Sequence, residues 1–446
     1  MADHVELRSG AYFDSVTLMQ VSRTVASAPG VESAQVAMAT ELNLEVIRGM
    51  GFDVPESAPN DLVVAIRGDD DGVAAGLSAL EDALTQKRSA TGGPGFGDAP
   101  QPRTLGGAIR LSGADLALVS VPGEHAVAEA LDAVRAGVSV LVFSDNVPVD
   151  EEVRLKDAAA RTGVLVMGPD CGTAVVGGVA LGFANVVRQG SVGLVAASGT
   201  GAQQVMCLLD AAGVGISHCL GVGGRDLSSA VAARSTRQAL AALAADPATE
   251  SIMIVSKPPA PEVLADLEAY AAGLGKPVHW ATLGAGRPDL TAAVESALRG
   301  TGHDVPERWP SWSPGVSDDA SSDLDPASKG TVSQGGSLRG LFCGGTLADE
   351  AMLVAGEVVG DIRSNIPLRP ELALGHDLRD SGHVVIDFGD DSMTQGRAHP
   401  MIDPSLRLER IGAEAADPTC GVLLLDLVLG HGAHPDPAPE LADAIR

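Results

Sequence analysis

Two short turns carry the residue types that hold anions. The first, Ser198-Gly199-Thr200-Gly201, follows the apolar run 192–197 and leads into Ala202-Gln203-Gln204-Val205. The second, Gly344-Gly345-Thr346, follows the apolar run 338–343 and leads into Leu347-Ala348-Asp349-Glu350. A strand that stops at glycine and threonine and turns at once into a helix aims unpaired backbone N–H groups at one point, together with the positive end of the helix dipole. Two such turns facing each other would hold one phosphoryl group from both sides. The plainer reading of each is a tight strand-to-helix turn that needs glycine only for its backbone freedom.

Other candidates are scattered. Arg225, in Gly223-Gly224-Arg225-Asp226, is read either as a forked clamp on a carboxylate or phosphate or as a surface ion pair in an acidic protein. His399 and His434 each precede a proline, which places them in extended loop segments. His434 follows the strand-like run 421–427 and is read as a general acid/base or oxyanion donor; His399 is read as a structural loop histidine or a substrate contact. Asp387, Asp390, Asp391 and Asp403 are weighed as a metal site against solvated loop acids; the second reading is preferred and no metal is expected. Cys171, in Gly168-Pro169-Asp170-Cys171, has no basic neighbour in sequence and reads as a packed thiol.

The elements that must position these residues read as α/β. At 446 residues the chain is long enough for two to four domains. Its 45% hydrophobic and 3% aromatic content suits layers built from small aliphatic side chains. A formal charge of −28 excludes the basic surface that nucleic-acid binding needs. No apolar run is long enough to span a bilayer. Five cysteines without metal-ligand spacing point to reduced thiols, and a cytoplasmic location is expected. Strands are predicted at 5–7, 31–39 and 62–67 with helices at 15–28 and 71–88, a small ferredoxin-like α+β unit assigned to docking or assembly. A Gly/Pro-rich linker follows. Strand and helix then alternate through 116–167, 191–300 and 338–427, interrupted by a Pro/Ser/Asp-rich stretch at 301–337 that contains Trp309 and Trp312 and reads as a mobile linker.

The order of five segments, Gly168-Pro169-Asp170-Cys171-Gly172-Thr173, Ser198-Gly199-Thr200-Gly201, Gly221-Val222-Gly223-Gly224-Arg225-Asp226, 389–403 and 427–437, resembles the FdrA family. These are relatives of the succinyl-CoA synthetase superfamily with α-type and β-type ligase halves in one chain. The resemblance implies a multi-domain α/β fold. It would comprise a small α+β N-terminal domain at 1–90, a linker at 91–104, a Rossmann-like CoA-binding-type domain at 105–188, a flavodoxin-like ligase-type domain at 189–300, a linker at 301–337 and a second at 338–446. It implies that Ser198, Gly199, Thr200 and Gly201 open the phosphate-holding helix of the α-type half, with Gly344, Gly345 and Thr346 in the corresponding place of the β-type half. Asp170 and Cys171 match a Gly-Pro-Asn-Cys turn with Asp for Asn, and Gly223 and Gly224 a Gly-Gly-Asp turn with Arg225 inserted.

Departures from the pattern shape the expected chemistry. The superfamily's swinging phosphohistidine belongs to a Gly-His-Ala-Gly segment after the strand 277–281, yet 282–290 contain no histidine, and His279 lies in the strand itself. Gly106-Gly107 is at best a remnant of the CoA-binding turn, so CoA binding looks incomplete. No nucleotide-grasp domain is present, and a complete ATP-driven synthetase is not expected from this chain alone. The resemblance implies instead a subunit of an oxamate carbamoyltransferase, converting carbamoyl phosphate and oxamate to oxalurate and phosphate in allantoin and purine catabolism. Its partners would be the other subunits of a hetero-oligomer and small anionic substrates, with no nucleic acid and no membrane. The alternatives are an acyl-CoA synthetase component, or a non-catalytic assembly subunit.

Overall fold

The computed structural model describes residues 2–446 apart from 9–12, 14, 56, 59–60, 91–101, 312–335, 395–398, 430–432 and 435. It is α/β and multi-domain, and falls into two compact units, 1–101 and 102–446.

The first unit runs β1 (Ala2–Arg8), α1 (Ser15–Ala26), β2 (Val31–Met38), α2 (Glu41–Gly49), β3 (Leu62–Gly68) and α3 (Asp70–Ala90). β3 lies between its neighbours and pairs antiparallel with both. Val36, Val64 and Ile66 turn to one face against Leu18, Val21 and Leu80, as the two-residue period of a strand requires. The short helix α2 is absent from the sequence reading. It is capped by the Thr40 hydroxyl, which accepts from Asn43 N at 3.4 Å, and it buries Ile47.

In the second unit the chain continues with α4 (Leu105–Ser112), β4 (Leu116–Val119), α5 (Gly123–Arg135), β5 (Ser139–Val142), α6 (Val149–Thr162) and β6 (Val166–Met167). These three strands form a parallel sheet in the order β4-β5-β6. A hairpin of β7 (Thr173–Val176) and β8 (Val179–Gly182) comes next, and it joins the following sheet through an antiparallel pairing of β7 with β10.

That sheet is built from β9 (Gln189–Ala197), α7 (Gly199–Ala211), β10 (Ile216–Gly221), α8 (Arg234–Ala245), β11 (Ser251–Ser256), α9 (Pro261–Ala271), β12 (Val278–Thr282) and α10 (Leu290–Gly300). Its order is β12-β11-β9-β10-β7-β8. Leu194 and Ala196 of β9 pack under α7 and α10, whereas Val195 and Ala197 face the helices on the other side. Both faces are covered, so β11 is buried along its whole length, as a central parallel strand must be.

At Trp309 the structure departs from the expectation of a mobile linker over 301–337, of which 312–335 lie outside the described residues. The Trp309 indole donates to Glu295 Oε1 at 3.0 Å and packs on the α7/α10 core. Trp312 lies outside the described residues.

The last sheet comprises β13 (Ser337–Phe342), α11 (Gly345–Val359), β14 (Ile362–Ser364), β15 (His383–Asp387), α12 (Asp391–Thr394), α13 (Ser405–Ala415), β16 (Cys420–Leu425) and α14 (Ala438–Ile445). All its strands are parallel, in the order β14-β15-β13-β16. Among the described residues no helix is long and apolar enough to cross a membrane.

Candidate functional site: two helix N-termini in contact

β9 ends at Ala197 and β13 at Phe342, and the helices that follow them, α7 and α11, begin against each other. Ser198 Oγ lies 2.5 Å from Thr346 Oγ1, across 148 residues of sequence. Both side chains are buried. Ser198 also caps α7, its hydroxyl accepting from Gly201 N at 2.9 Å. α11 opens at Gly344 without a side-chain cap, which leaves its first N–H groups free of a capping side chain.

The glycines are required by close approach. A Cβ on Gly344 would lie 2.6 Å from Thr200 Cγ2, and one on Gly201 3.0 Å from Thr346 Cγ2. A Cβ on Gly345 would fall 2.3 Å from Lys257 Nζ and 2.5 Å from Asp387 Oδ2. Thus Ser198, Gly199, Thr200, Gly201, Gly344, Gly345 and Thr346 are brought together at the carboxyl ends of the parallel strands β9 and β13, where open α/β sheets place ligands.

Charged residues surround this junction. Lys257 directly follows β11, whose Ser256 registers with Ala197 of β9, so it stands beside the first turn. Asp387 ends β15 opposite Phe342. Asp387 is buried, which corrects its reading as a solvated loop acid; its Oδ1 accepts from Gly389 N at 2.9 Å, and burial pushes its carboxyl up to about 6. Asp349, one turn into α11, is likewise buried and pushed up to about 7. Asp390 holds the first turn of α12 through Ser392 N at 3.0 Å, and Asp403 caps Ser405 N at 3.1 Å. Asp391 begins α12. Among the described residues no group of three His, Cys, Asp or Glu side chains is arranged to hold a metal.

The second turn is buttressed from behind. Cys343 N donates to Asp426 Oδ1 at 2.8 Å, and Arg407 donates to the same carboxylate oxygen at 2.9 Å and to Leu341 O at 2.9 Å. No sequence pattern marks Arg407 or Asp426, because their partners are distant along the chain.

The remaining candidates occupy other places. His399 Nδ1 accepts from Met401 N at 3.3 Å, and a Cβ on Gly389 would lie 2.7 Å from its Nε2, which sets it next to the Asp387 end of the cluster. Burial pushes its imidazole down to about 4, so it is neutral at physiological pH. His434 lines a small pocket with Met401, Arg407 and Leu427, and its Nε2 is 3.2 Å from Glu440 Oε1. Arg225 takes the ion-pair alternative: it donates to Val147 O at 2.7 Å and lies 3.1 Å from Glu152 Oε2.

Gly223 and Gly224 follow β10 and pack on the turn that carries Asp170 and Cys171. A Cβ on Gly223 would lie 2.5 Å from Pro169 O, and one on Gly221 2.5 Å from Cys171 Sγ. These glycines let two backbones meet. Burial pushes the Cys171 thiol up to about 12, and its Sγ lies 3.6 Å from Thr173 O. Alkylation near pH 8 is therefore expected to mark exposed Cys207 and to spare Cys171, Cys219 and Cys343, all buried with raised pKa. Peptide mass analysis reads the outcome, and rapid labelling of Cys171 would contradict its burial.

In 102–167 the helix starts are engaged by the protein itself. The sheet there opens with α4, capped by Thr104, and Gly106 N is taken by Asp132 Oδ2 at 2.6 Å. A Cβ on Gly123 would lie 2.2 Å from Asp145 O, so the start of α5 is closed by backbone. The first turn of α6 carries Asp150, Glu151 and Glu152, which repel an anion.

Comparison with known proteins follows the same division. Residues 1–100 match the domain family "AllF, heavy metal-associated domain", and 341–446 match "CoA-ligase". Residues 1–100 contain no cysteine and a single histidine, His4, whose ring meets Glu6 at 3.2 Å; they do not fit a thiol-bound metal. "Uncharacterized protein YahF" of Escherichia coli strain K12 is 38% identical over 463 residues, covering 100% of this chain and 88% of that protein. The mitochondrial succinate–CoA ligase [ADP-forming] subunit alpha-2 of Trichomonas vaginalis is 28% identical over 154 residues, 33% of this chain and 48% of that one. The match thus spans about half the length of that ligase subunit. A solved dinucleotide-forming acetyl-coenzyme A synthetase of Ca. Korarchaeum cryptofilum, in complex with phosphate and ADP, aligns at 22% identity and TM-score 0.32 over 47% of this chain and 43% of its own. With an AllF-type domain at its start, a CoA-ligase domain at its end and full-length similarity to YahF, the chain belongs to the YahF family.

Proposed function

We propose that the protein is a component of an acid–thiol ligase of the acyl-CoA synthetase type, holding phosphate or an acyl phosphate where α7 and α11 meet. The observation that carries this reading is the 2.5 Å contact between Ser198 and Thr346, which points two helix N-termini at one place. Preorganised N–H donors stabilise charge on a phosphoryl group without forming a covalent bond to it. That suits a chain whose segment after β12 has no histidine to carry phosphate. Similarity to CoA-ligase domains and to a succinate–CoA ligase subunit supports the ligase class. The FdrA-type arrangement, with both ligase halves in one chain, fits the meeting of the two sheets.

Carbamoyl transfer to oxamate receives no support from the relatives. CoA and nucleotide would be bound by partner subunits, since the helix starts in 102–167 are engaged by the protein itself. The discriminating assay incubates the full chain with its co-expressed partners and either ATP, CoA and a carboxylic acid or carbamoyl phosphate and oxamate. Acyl-CoA formation is the expected result. Phosphate release only in the second mixture would overturn the ligase reading.

A further inference from the structure

Gly345 stands between an ammonium and a carboxylate: a Cβ there would touch both Lys257 Nζ and Asp387 Oδ2. Among the described residues Lys257 makes no ion pair and no hydrogen bond, and its charge faces Asp387 and Asp349 at longer range. Asp349 is only 5% exposed and lies one turn into α11, the helix that opens at the same junction. A buried carboxyl is costly to ionise, so a cation or a hydrogen-bonding ligand beside it is favoured.

We infer that Lys257 and Asp349 form the side-chain half of the site where α7 and α11 meet, the Lys257 ammonium neutralising a tetrahedral oxyanion and the Asp349 carboxyl contacting it. This rests on the reading that the two helix N-termini hold phosphate, and it assigns the side chains that the backbone lacks. Helix N-termini supply partial charge, about half an elementary unit each. A phosphate dianion needs more, and Lys257 is the cation placed to provide it.

The proton on Asp349 follows from its surroundings. Burial is the largest influence and holds the carboxyl neutral to about pH 7, Lys257 opposes that, and Asp387 reinforces it. Asp390 and Asp426 raise Asp387 in turn, while Arg407 is occupied by Asp426. His399 is neutral and adds no charge near Asp387. The first turn of α7 contributes no acidic residue. As pH rises through about 7, Asp349 ionises, loses its donor and repels an anion, so affinity falls.

Calorimetric titration of the full chain with sulfate, whose charge is fixed over about pH 5.5–8.5, and with inorganic phosphate tests this. Sulfate is expected to bind, more weakly as pH rises through about 7. Lys257→Met should weaken both anions about tenfold or more, and Lys257→Arg should restore most of the loss. Asp349→Asn, which retains a donor, should keep binding but flatten the pH profile for sulfate. Unchanged affinity in Lys257→Met, or an unchanged pH profile in Asp349→Asn, overturns the inference and leaves the two-helix reading intact. Absence of binding to the parent chain overturns both, and so does Ser198→Asp without effect while Lys257→Met acts, because it detaches the lysine from the helix junction.

Discussion

Replacing Lys156 by methionine is expected to destabilise the 102–446 unit by about 3 kcal/mol, the largest stability effect of any single change considered. Its Nζ sits 2.7 Å from Glu152 Oε1, 2.7 Å from Asp226 Oδ1 and 2.9 Å from Val222 O, and none of the three side chains reaches solvent. Methionine fills the volume but leaves two buried carboxylates without their shared cation. Breaking a buried pair from one side costs about 3–5 kcal/mol. The lower end applies, because Asp226 keeps Ser235 N, Thr236 N and the Thr236 hydroxyl, and Glu152 keeps Arg225. Denaturant unfolding followed by tryptophan fluorescence isolates the effect, since Trp280, Trp309 and Trp312 all lie beyond residue 101. The double variant Lys156→Met/Asp226→Asn should lose less than the sum of its parts. A loss below about 1 kcal/mol would show that the cluster contributes no more than an ordinary surface site.

Ser198→Asp is expected to reduce turnover, and anion affinity, about 100-fold or more while leaving folding intact. Aspartate is as good an N-cap as serine, so α7 keeps its cap on Gly201 N. The Thr346 hydroxyl can donate to the new carboxylate in place of its contact with the serine. The substitution therefore places a carboxyl oxygen, and above its pKa a negative charge, where a phosphoryl oxygen is proposed to sit. Wild-type stability with lost activity is the diagnostic pair. If turnover were unaffected, the anion would have to bind elsewhere.

The two turns were legible because apolar runs ending in Ser-Gly-Thr-Gly and Gly-Gly-Thr announce a strand-to-helix change without any knowledge of the fold. Their contact was not, since nothing local links Ser198 to Thr346. The charged residues beside them were hidden for a different reason. Asp349 lies near the start of a helix, where an acid ordinarily reads as a solvated complement to the dipole. Only the folded structure reveals it as buried, with the charges of Lys257 and Asp387 acting on it. Lys257 is followed by two prolines and belongs to no recognisable motif, so its place became visible only through the register of β11 on β9. Arg225 had two reasonable readings, and the choice depended on Glu152, which a distant helix supplies. The helix α2 escaped notice because nine residues of mixed character, Glu41–Gly49, give a weak periodic signal.

The meeting of Ser198 with Thr346 has a consequence for how the site assembles. A cradle made from two separate chains exists only in the fraction of molecules that have associated, and dilution empties it. Here both halves belong to one polypeptide, so the local concentration of one for the other is set by chain connectivity rather than by dilution. The cradle therefore closes within a single molecule, and its occupancy by an anion should be independent of protein concentration even where partner subunits come and go.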